Sequence, residues 1–486
     1  MRLRRRARSV LPSNGNRTGK GATVATTASL ADLAEQELAG FRGELIGPGH
    51  SGYEAARAVY NAMIDRRPGL IARCASADDV AAAINFARRH DALVAVRGGG
   101  HNGGGLGTVD DGVVIDLGLM RDIEVDADRR TVRVGGGATW GEVDRATHEA
   151  GLATPSGIIS TTGVGGLTLG GGIGHLARKH GLTIDNLLGA QLVLADGTRA
   201  HASAEENPDL FWAIRGGGGN FGVVTEFEFR LHPVSTVVAG PTFWPIEQSG
   251  EVLRAYREFL PAADRDLNGF FAYTSVPPVP PFPEELHGRQ VAAIVWCHLG
   301  SEEEALAAIK PMTEVGTPLL HGPHALPFPA LQGFFDGLYP KGHQWYWRAD
   351  FVRTLSDQAI AAHEEWGPQM PSGQSTMHMY PIDGAVHDVA ENATPFSYRD
   401  VTWAEVIVGV DPDPANAQAI TAWTKGYWDA THPHSAGGAY VNFMMDEGQE
   451  RVRATYRGNY ERLTKIKSAY DPGNLFRVNQ NIRPAA

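Results

Sequence analysis

Hydrophobic and polar positions follow two periods along this chain, and the switches between them mark the elements. Ser76-Ala77-Asp78-Asp79 has capping-box spacing and opens an apolar repeat through Ala81, Ala82, Ile84, Phe86 and Ala87, which predicts a helix. Leu93 to Arg97 follows as a strand and runs into a block from Gly98 to Gly105 broken only by His101 and Asn102. Val113 to Leu117 is a second apolar strand. Thr131 to Val134 is a third, ending at Gly135-Gly136-Gly137, after which Thr139 caps a helix reaching about His148. A second glycine block spans Gly163 to Gly174. Ala190 to Ala195 predicts one arm of a hairpin turning at Asp196-Gly197, a pair suited to positive φ. A third block, Gly216 to Gly219 with Gly222, leads into the alternating strand Val223 to Phe229.

The texture changes near Val237. Proline and aromatic residues rise, as in Pro277 to Pro283, and long glycine runs end. Strand patterns near 270–276, 291–299, 345–353, 375–382 and 402–410 alternate with helical ones near 247–260, 302–310, 356–366 and 414–429. The order predicts an α+β domain with one antiparallel sheet and helices on a single face. Gln449 to Tyr470 is helical and basic, stopped by Asp471-Pro472-Gly473-Asn474.

Composition narrows the function classes. With 486 residues, 43% apolar and 20% charged, the chain exceeds what one core usually serves, so two domains are expected. No apolar run approaches the roughly 18 residues of a membrane span, so a soluble protein is expected. The net charge is −12, while Arg2, Arg4, Arg5, Arg6, Arg8, Arg17 and Lys20 crowd the start without an acid, leaving a strongly acidic body. Such a body argues against nucleic acid as a partner. No apolar stretch follows the twin arginines, so the cytoplasm is the expected compartment. Cys74 and Cys297 both sit in apolar segments, and the histidines lack ligand spacing; no disulfide framework and no metal are expected.

Three glycine clusters after strands suggest a phosphate cradle, since residues without Cβ let backbone N–H groups converge on an anion. Three in one domain imply a long, multiply charged ligand such as a dinucleotide. Gly98 to Gly103 and Gly217 to Gly222 both match G-x-G-x-x-G, yet strands follow both, which argues against a Rossmann unit. Tight turns alone are the plainer alternative.

Arg97-Gly98-Gly99-Gly100-His101-Asn102, Thr154 to Gly157 with Gly163 to Gly174, and Gly217 to Thr225 resemble the FAD-linked oxidases of the vanillyl-alcohol-oxidase and p-cresol-methylhydroxylase superfamily. Tyr440 to Phe443 and Asp471 to Phe476 are similar to its berberine-bridge-enzyme branch, in the bacterial group with 6-hydroxynicotine oxidases and the enterocin-biosynthesis flavoenzyme. The resemblance runs from about Gly43 to Arg483. It implies a two-domain PCMH-type FAD-binding fold: a flexible basic tail over 1–40, an FAD domain of two small α/β subdomains over 41–236, a substrate domain over 237–438, and a segment over 439–486 returning to the FAD domain. It implies FAD bound by Arg97, Gly98, Gly99, Gly100, Asn102 and Gly103, by Thr162, Gly163, Gly166, Leu167, Gly171 and Gly174, by Gly222 and Val224, and by Tyr440, Asn442, Asn479 and Asn481. His101 takes the place of the histidine that relatives bond to the flavin 8α-methyl. Many relatives add a cysteinyl bond where this chain has Ile159, so one covalent link is expected.

The resemblance also places Tyr440 facing the flavin, as a proton acceptor if its pKa is lowered or as a plain hydrogen-bonding neighbour. Period two puts His378 and Tyr380 on one strand face and Met377 and Met379 on the other. The pair is a candidate base or a polar lining, and Trp345, Trp347 and Arg348 are candidate pocket walls. Leu167, in the family's position above the flavin, bears on oxygen access. The expected activity is hydride removal from a C–OH or C–N bond of a small cyclic molecule, with dioxygen as acceptor. A dehydrogenase using a quinone-like acceptor and a low-turnover drug-binding protein are the alternatives.

Overall fold

A computed structural model describes residues 28–485. Its first sheet has four strands, ordered Glu44–Ile46, Leu70–Arg73, Val113–Asp116, Val94–Arg97. The last three run parallel: the helix Ala77–Arg89 carries the chain from Leu70–Arg73 to Val94–Arg97, and Val113–Asp116 then inserts between those two strands. That helix is capped as expected: Ser76 Oγ accepts from Asp79 N at 3.3 Å. Asp79 does not return the bond and accepts instead from Arg42 N and Ala75 N, both at 2.9 Å. Val113–Asp116 is buried throughout, as a parallel strand covered on both faces should be.

The second sheet is antiparallel: Ile123–Asp126, Thr131–Gly135, Val223–Arg230, Leu187–Val193, Arg199–Ser203. Its hairpin turns at Asp196-Gly197, where Gly197 has φ +86°. Thr139 and Glu142 form the capping box of helix Trp140–His148.

A third sheet contains all five strands expected beyond residue 237, as Leu267–Ser275, Gln290–His298, Gln344–Val352, Thr376–Pro381 and Trp403–Asp411, all antiparallel. Helices Ser249–Ala262, Glu302–Thr313, Asp357–Trp366 and Ala417–Thr431 belong with one face, closing a core of Trp244, Tyr256, Trp296, Met377, Met379, Trp403 and Ile407. The α+β class and the one-sided helix layer are therefore as expected. Phe270, Trp345, Tyr380, Val406 and Val408 point the other way and share a core with the glycine-rich part of the chain.

Some elements differ from expectation. Thr236–Pro245 is a full strand of this sheet, hidden in the sequence by Gly240 and Pro241. The second glycine block contains a helix, Val164–Gly170, which no propensity scale favours and which exists because tertiary packing holds it. The stretch 449–470 is two helices, Gln449–Tyr456 and Tyr460–Tyr470, broken where Arg457 takes φ +45°. Ordered packing also begins before residue 41. Ser29 and Asp32 form a capping box for helix Leu30–Glu37, and Ala34 and Leu38 are buried, so the expected flexible tail does not extend to 40; its basic residues lie outside the described ones. Among the described residues no helix is long and apolar enough to cross a membrane.

The end of the chain closes on the third glycine block. Lys467, fully buried, donates to Asp471 Oδ2 and Asn220 O at 2.7 Å and to Phe476 O at 2.9 Å. Asp471 also accepts from Leu475 N and Phe476 N, and Asn220 Oδ1 from Ile482 N. One ammonium thus pins the returning segment beside Gly217–Gly219. Lys467→Ala is expected to cost about 3–5 kcal/mol, the usual loss when a buried ion pair is stripped of one partner, measured by denaturant unfolding.

Candidate cofactor and substrate site

The three glycine blocks, the returning C-terminal segment and the face of the third sheet turned away from its helices enclose one cavity of about 340 Å³. Gly98 to Asn102, Thr162, Gly163, Gly166, Leu167, Gly222, Val224, Tyr440, Asn442 and Asn479 line it with Arg97; so do His378, Tyr380, Trp345 and Trp347. Five expected positions do not. A Cβ on Gly103 would enter the Trp347 ring, and one on Gly174 would strike Ser156 O, so both glycines serve packing. Gly171 has φ +138° and closes against Phe396 and Tyr440. Asn481 lies outside the wall with a buried, unpartnered Oδ1. Arg348 turns away to Glu447, at 2.7 Å. Sequence reasoning missed Tyr60, Asn220, Tyr339, Phe443, Phe476 and Gln480, which stand in irregular segments or were read only as pattern. Val406 and Val408 were also missed, although alternation along Trp403–Asp411 pointed to them.

The glycine end is built for an anion. No backbone N–H from Gly99 to Asn102 donates to another described residue, which leaves a run of donors at the wall. Arg97 gives Nε and Nη2 to Asp116 Oδ2, at 3.1 and 2.6 Å, and Nη2 to Ala56 O, while Nη1 is buried without a partner. Its charge is compensated by Asp116, so the backbone carries most of the anion binding. Blocks one and two meet directly: a Cβ on Gly99 would stand 2.5 Å from Gly163 N. These features fit a pyrophosphate-bridged cofactor.

His101 stacks on Tyr60, with centroids 4.1 Å apart, and its Nε2 lies 3.0 Å from Thr161 Oγ1. Part of its surface stays accessible, yet protein crowds most of the ring, and the loss of water holds it down to about 4. It is a neutral nucleophile at pH 7.

At the other end the wall is aromatic. Tyr440 Oη accepts from Gly172 N and Asn442 Nδ2, both at 2.8 Å, and Asn442 Nδ2 reaches Leu167 O at 3.0 Å. Burial outweighs these bonds and pushes the phenol up to about 12, the opposite direction to the lowering expected of a proton acceptor. Phe443 stands edge-on to Tyr440 and links it to Tyr380. His378 Nδ1 is 2.6 Å from Tyr380 Oη. Burial holds the imidazole down to about 3 and lifts the phenol well above its usual range, so the two share one hydrogen bond as neutral groups.

Comparison with known proteins agrees with this layout. The FAD binding domain profile matches residues 68–203, and the berberine and berberine-like profile matches 439–483. An FAD-linked oxidoreductase of Dictyostelium discoideum is 32% identical over 428 residues, 87% of this chain and 91% of the relative. (R)-6-hydroxynicotine oxidase of Paenarthrobacter nicotinovorans is 32% identical over 460 residues, 91% of this chain and 97% of its own. The chain belongs to the FAD-linked oxidoreductases. Among solved structures, 6-hydroxy-D-nicotine oxidase of Arthrobacter nicotinovorans aligns with TM-score 0.80 at 28% identity, over 92% of this chain and 98% of its own. Glucooligosaccharide oxidase of Acremonium strictum, described with a 6-S-cysteinyl, 8α-N1-histidyl FAD, shares the fold at TM-score 0.82 and 24% identity, over 94% of this chain and 100% of its own. In this FAD-linked oxidoreductase, His101 falls inside the first matched region and Tyr440 and Asn442 inside the second, whereas His378 and Tyr380 lie in neither.

Two outcomes follow from the geometry. Gly99→Ala should bind far less FAD than the parent protein, read from the ratio of 450 to 280 nm absorbance after gel filtration, while Gly473→Ala, with open space around it, should not. For His378, the folded value of about 3 lies below the ordinary 6.5. The unfolded chain therefore takes up the proton first as pH falls, so stability is complete above about 6.5 and drains away towards about 3. Between about pH 7 and about pH 4.5, His378→Phe should lose about 2–3 kcal/mol less than the parent, measured by denaturant unfolding at each pH.

Proposed function

We propose that this FAD-linked oxidoreductase is an oxidase for a small, uncharged aromatic or cyclic molecule, taking a hydride from a C–OH or C–N bond. FAD is attached once, through His101, and dioxygen accepts the electrons. The observation that carries the substrate class is the wall of the aromatic end: Tyr339, Trp345, Trp347, Tyr380, Val406, Val408 and Phe443, with no carboxylate or ammonium among the lining residues and Arg97 already paired. A charged substrate would lose its hydration there without a counter-ion.

Bound FAD supplies the two-electron acceptor. The chain's residues do the rest. Backbone N–H groups of Gly99 to Asn102 bind the phosphates. Neutral His101 would offer a ring nitrogen to the flavin 8α-methyl carbon; that C–N bond replaces one C–H and one N–H bond, so two protons and two electrons would leave, with dioxygen as the oxidant that ends as hydrogen peroxide. A single link is supported by Ile159 at the wall and by both cysteines being buried elsewhere, Cys74 in one core and Cys297 in another. Tyr440 donates its hydroxyl hydrogen towards the cavity, both acceptor positions being occupied by Gly172 N and Asn442 Nδ2. The substrate's proton passes to Tyr380 Oη as the Tyr380 proton moves to His378 Nδ1. Because burial opposes a charged imidazole, proton loss stays coupled to hydride departure.

Anaerobic mixing with uncharged aromatic alcohols, cyclic amines and oligosaccharides tests this reading. The first two classes should bleach the 450 nm band and sugars should not, and admitting air should restore colour with one peroxide per turnover. Tyr380→Phe should slow bleaching by about 10²–10⁴-fold, the range for a lost proton acceptor. Reduction by sugars alone would overturn the substrate class, and slow recolouring in air would make the enzyme a dehydrogenase.

A further inference from the structure

The loop from Gly333 to Gly342 leaves helix Phe328–Gln332 and enters strand Gln344–Val352, so it belongs to the substrate side of the molecule. It nevertheless reaches His101 along two routes. On the first, Asp336 spends both carboxylate oxygens on Ser160: Oδ1 accepts from the backbone N–H at 3.0 Å and Oδ2 from Oγ. No cation pairs with Asp336 among the described residues. Ser160 is otherwise held by Gly141 N on its carbonyl, at 2.8 Å, and the next residue, Thr161, places Oγ1 3.0 Å from His101 Nε2. On the second route, Tyr60 donates its hydroxyl to Tyr339 O, accepts at its carbonyl from Gly342 N at 3.0 Å, and donates its own N–H to Gly100 O at 3.0 Å. The ring so fixed is the one that stacks on His101.

An imidazole has two soft torsions and forms a bond only if its nitrogen is aimed. Thr161 sets the edge of the ring and Tyr60 sets its plane. Both are held by one loop, of which Tyr339 alone lines the cavity.

We propose that loop Gly333–Gly342 is a positioning clamp for His101, with Asp336 acting through Ser160 and Thr161, and Tyr339 and Gly342 through Tyr60, so that the substrate side of the protein governs how fast the cofactor becomes attached. The clamp rests on His101 being the attachment residue. Asp336 is a positioning residue and touches neither cofactor nor substrate.

Apo-protein made under riboflavin limitation, then mixed with FAD, gives the test. Two quantities are read: total flavin bound after gel filtration, and the fraction remaining with protein after acid precipitation, followed over time. The parent protein should attach its flavin, and His101→Ala should bind FAD but release it into acid. Asp336→Ala and Thr161→Val should bind FAD and melt near the parent's temperature, yet attach it about tenfold more slowly, the lower end of what losing an imidazole's orienting partner costs. Should Asp336→Ala fail to fold, Thr161→Val, a small change at an exposed side chain, decides. Attachment at the parent's rate in both variants, or a fall in attachment only in proportion to bound FAD, overturns the clamp while leaving His101 as anchor. Complete release from the parent protein, or retention by His101→Ala, overturns the anchor itself, and the clamp with it.

Discussion

The backbones of two glycine blocks meet at Gly99 and Gly163, with no room between them for a methyl group. The first block leaves a parallel strand, Val94–Arg97, and the second starts the helix Val164–Gly170, so the contact locks the first sheet to the second. Gly98 extends it, since a Cβ there would lie 3.2 Å from Gly136 O, in the turn after Thr131–Gly135. Side chains cannot make such a joint. Bare backbone can, and in doing so it leaves the N–H groups of Gly99 to Asn102 without protein acceptors at a cavity wall. A close-packed joint and an anion cradle are thus one feature: the absence of Cβ atoms permits both.

What was legible in the sequence follows from how local its cause is. Period two along Thr376–Pro381 placed His378 and Tyr380 opposite Met377 and Met379, and the structure sends the first pair to the cavity and the second to the helix-covered core. Caps at Ser76 and Thr139 and the Asp196-Gly197 turn were equally local and equally readable. Thr236–Pro245 was not, because strand pairing with Gln290–His298 overrides the turn preference of Gly240 and Pro241. Helix Val164–Gly170 was hidden for the same reason: glycine has poor helix propensity, and only its surroundings hold it.

Site residues divide similarly. Glycine runs announced the cradle, but not which members face the ligand; Gly103 and Gly174 look like their neighbours in sequence, yet Trp347 and Ser156 occupy the space beside them. Tyr60, Tyr339 and Gln480 reach the cavity from irregular segments, where no period says which way a side chain points. Nothing in the spacing of Asp336 from Ser160, 176 positions apart, could have joined them.

Charge explains why the cavity relies on neutral groups. The chain carries −12 overall, and the one guanidinium at the wall is held by Asp116 at 2.6 Å. The lining therefore offers an anionic cofactor little free positive charge, and backbone N–H groups, which need no counter-ion, take that part. The same dryness that strengthens those bonds drives both imidazoles at the wall to their neutral forms, His101 to about 4 and His378 to about 3. Neutrality suits the two differently. It leaves His101 a lone pair, which suits the anchoring proposed for it, and it leaves His378 unwilling to hold a proton unless negative charge arrives beside it.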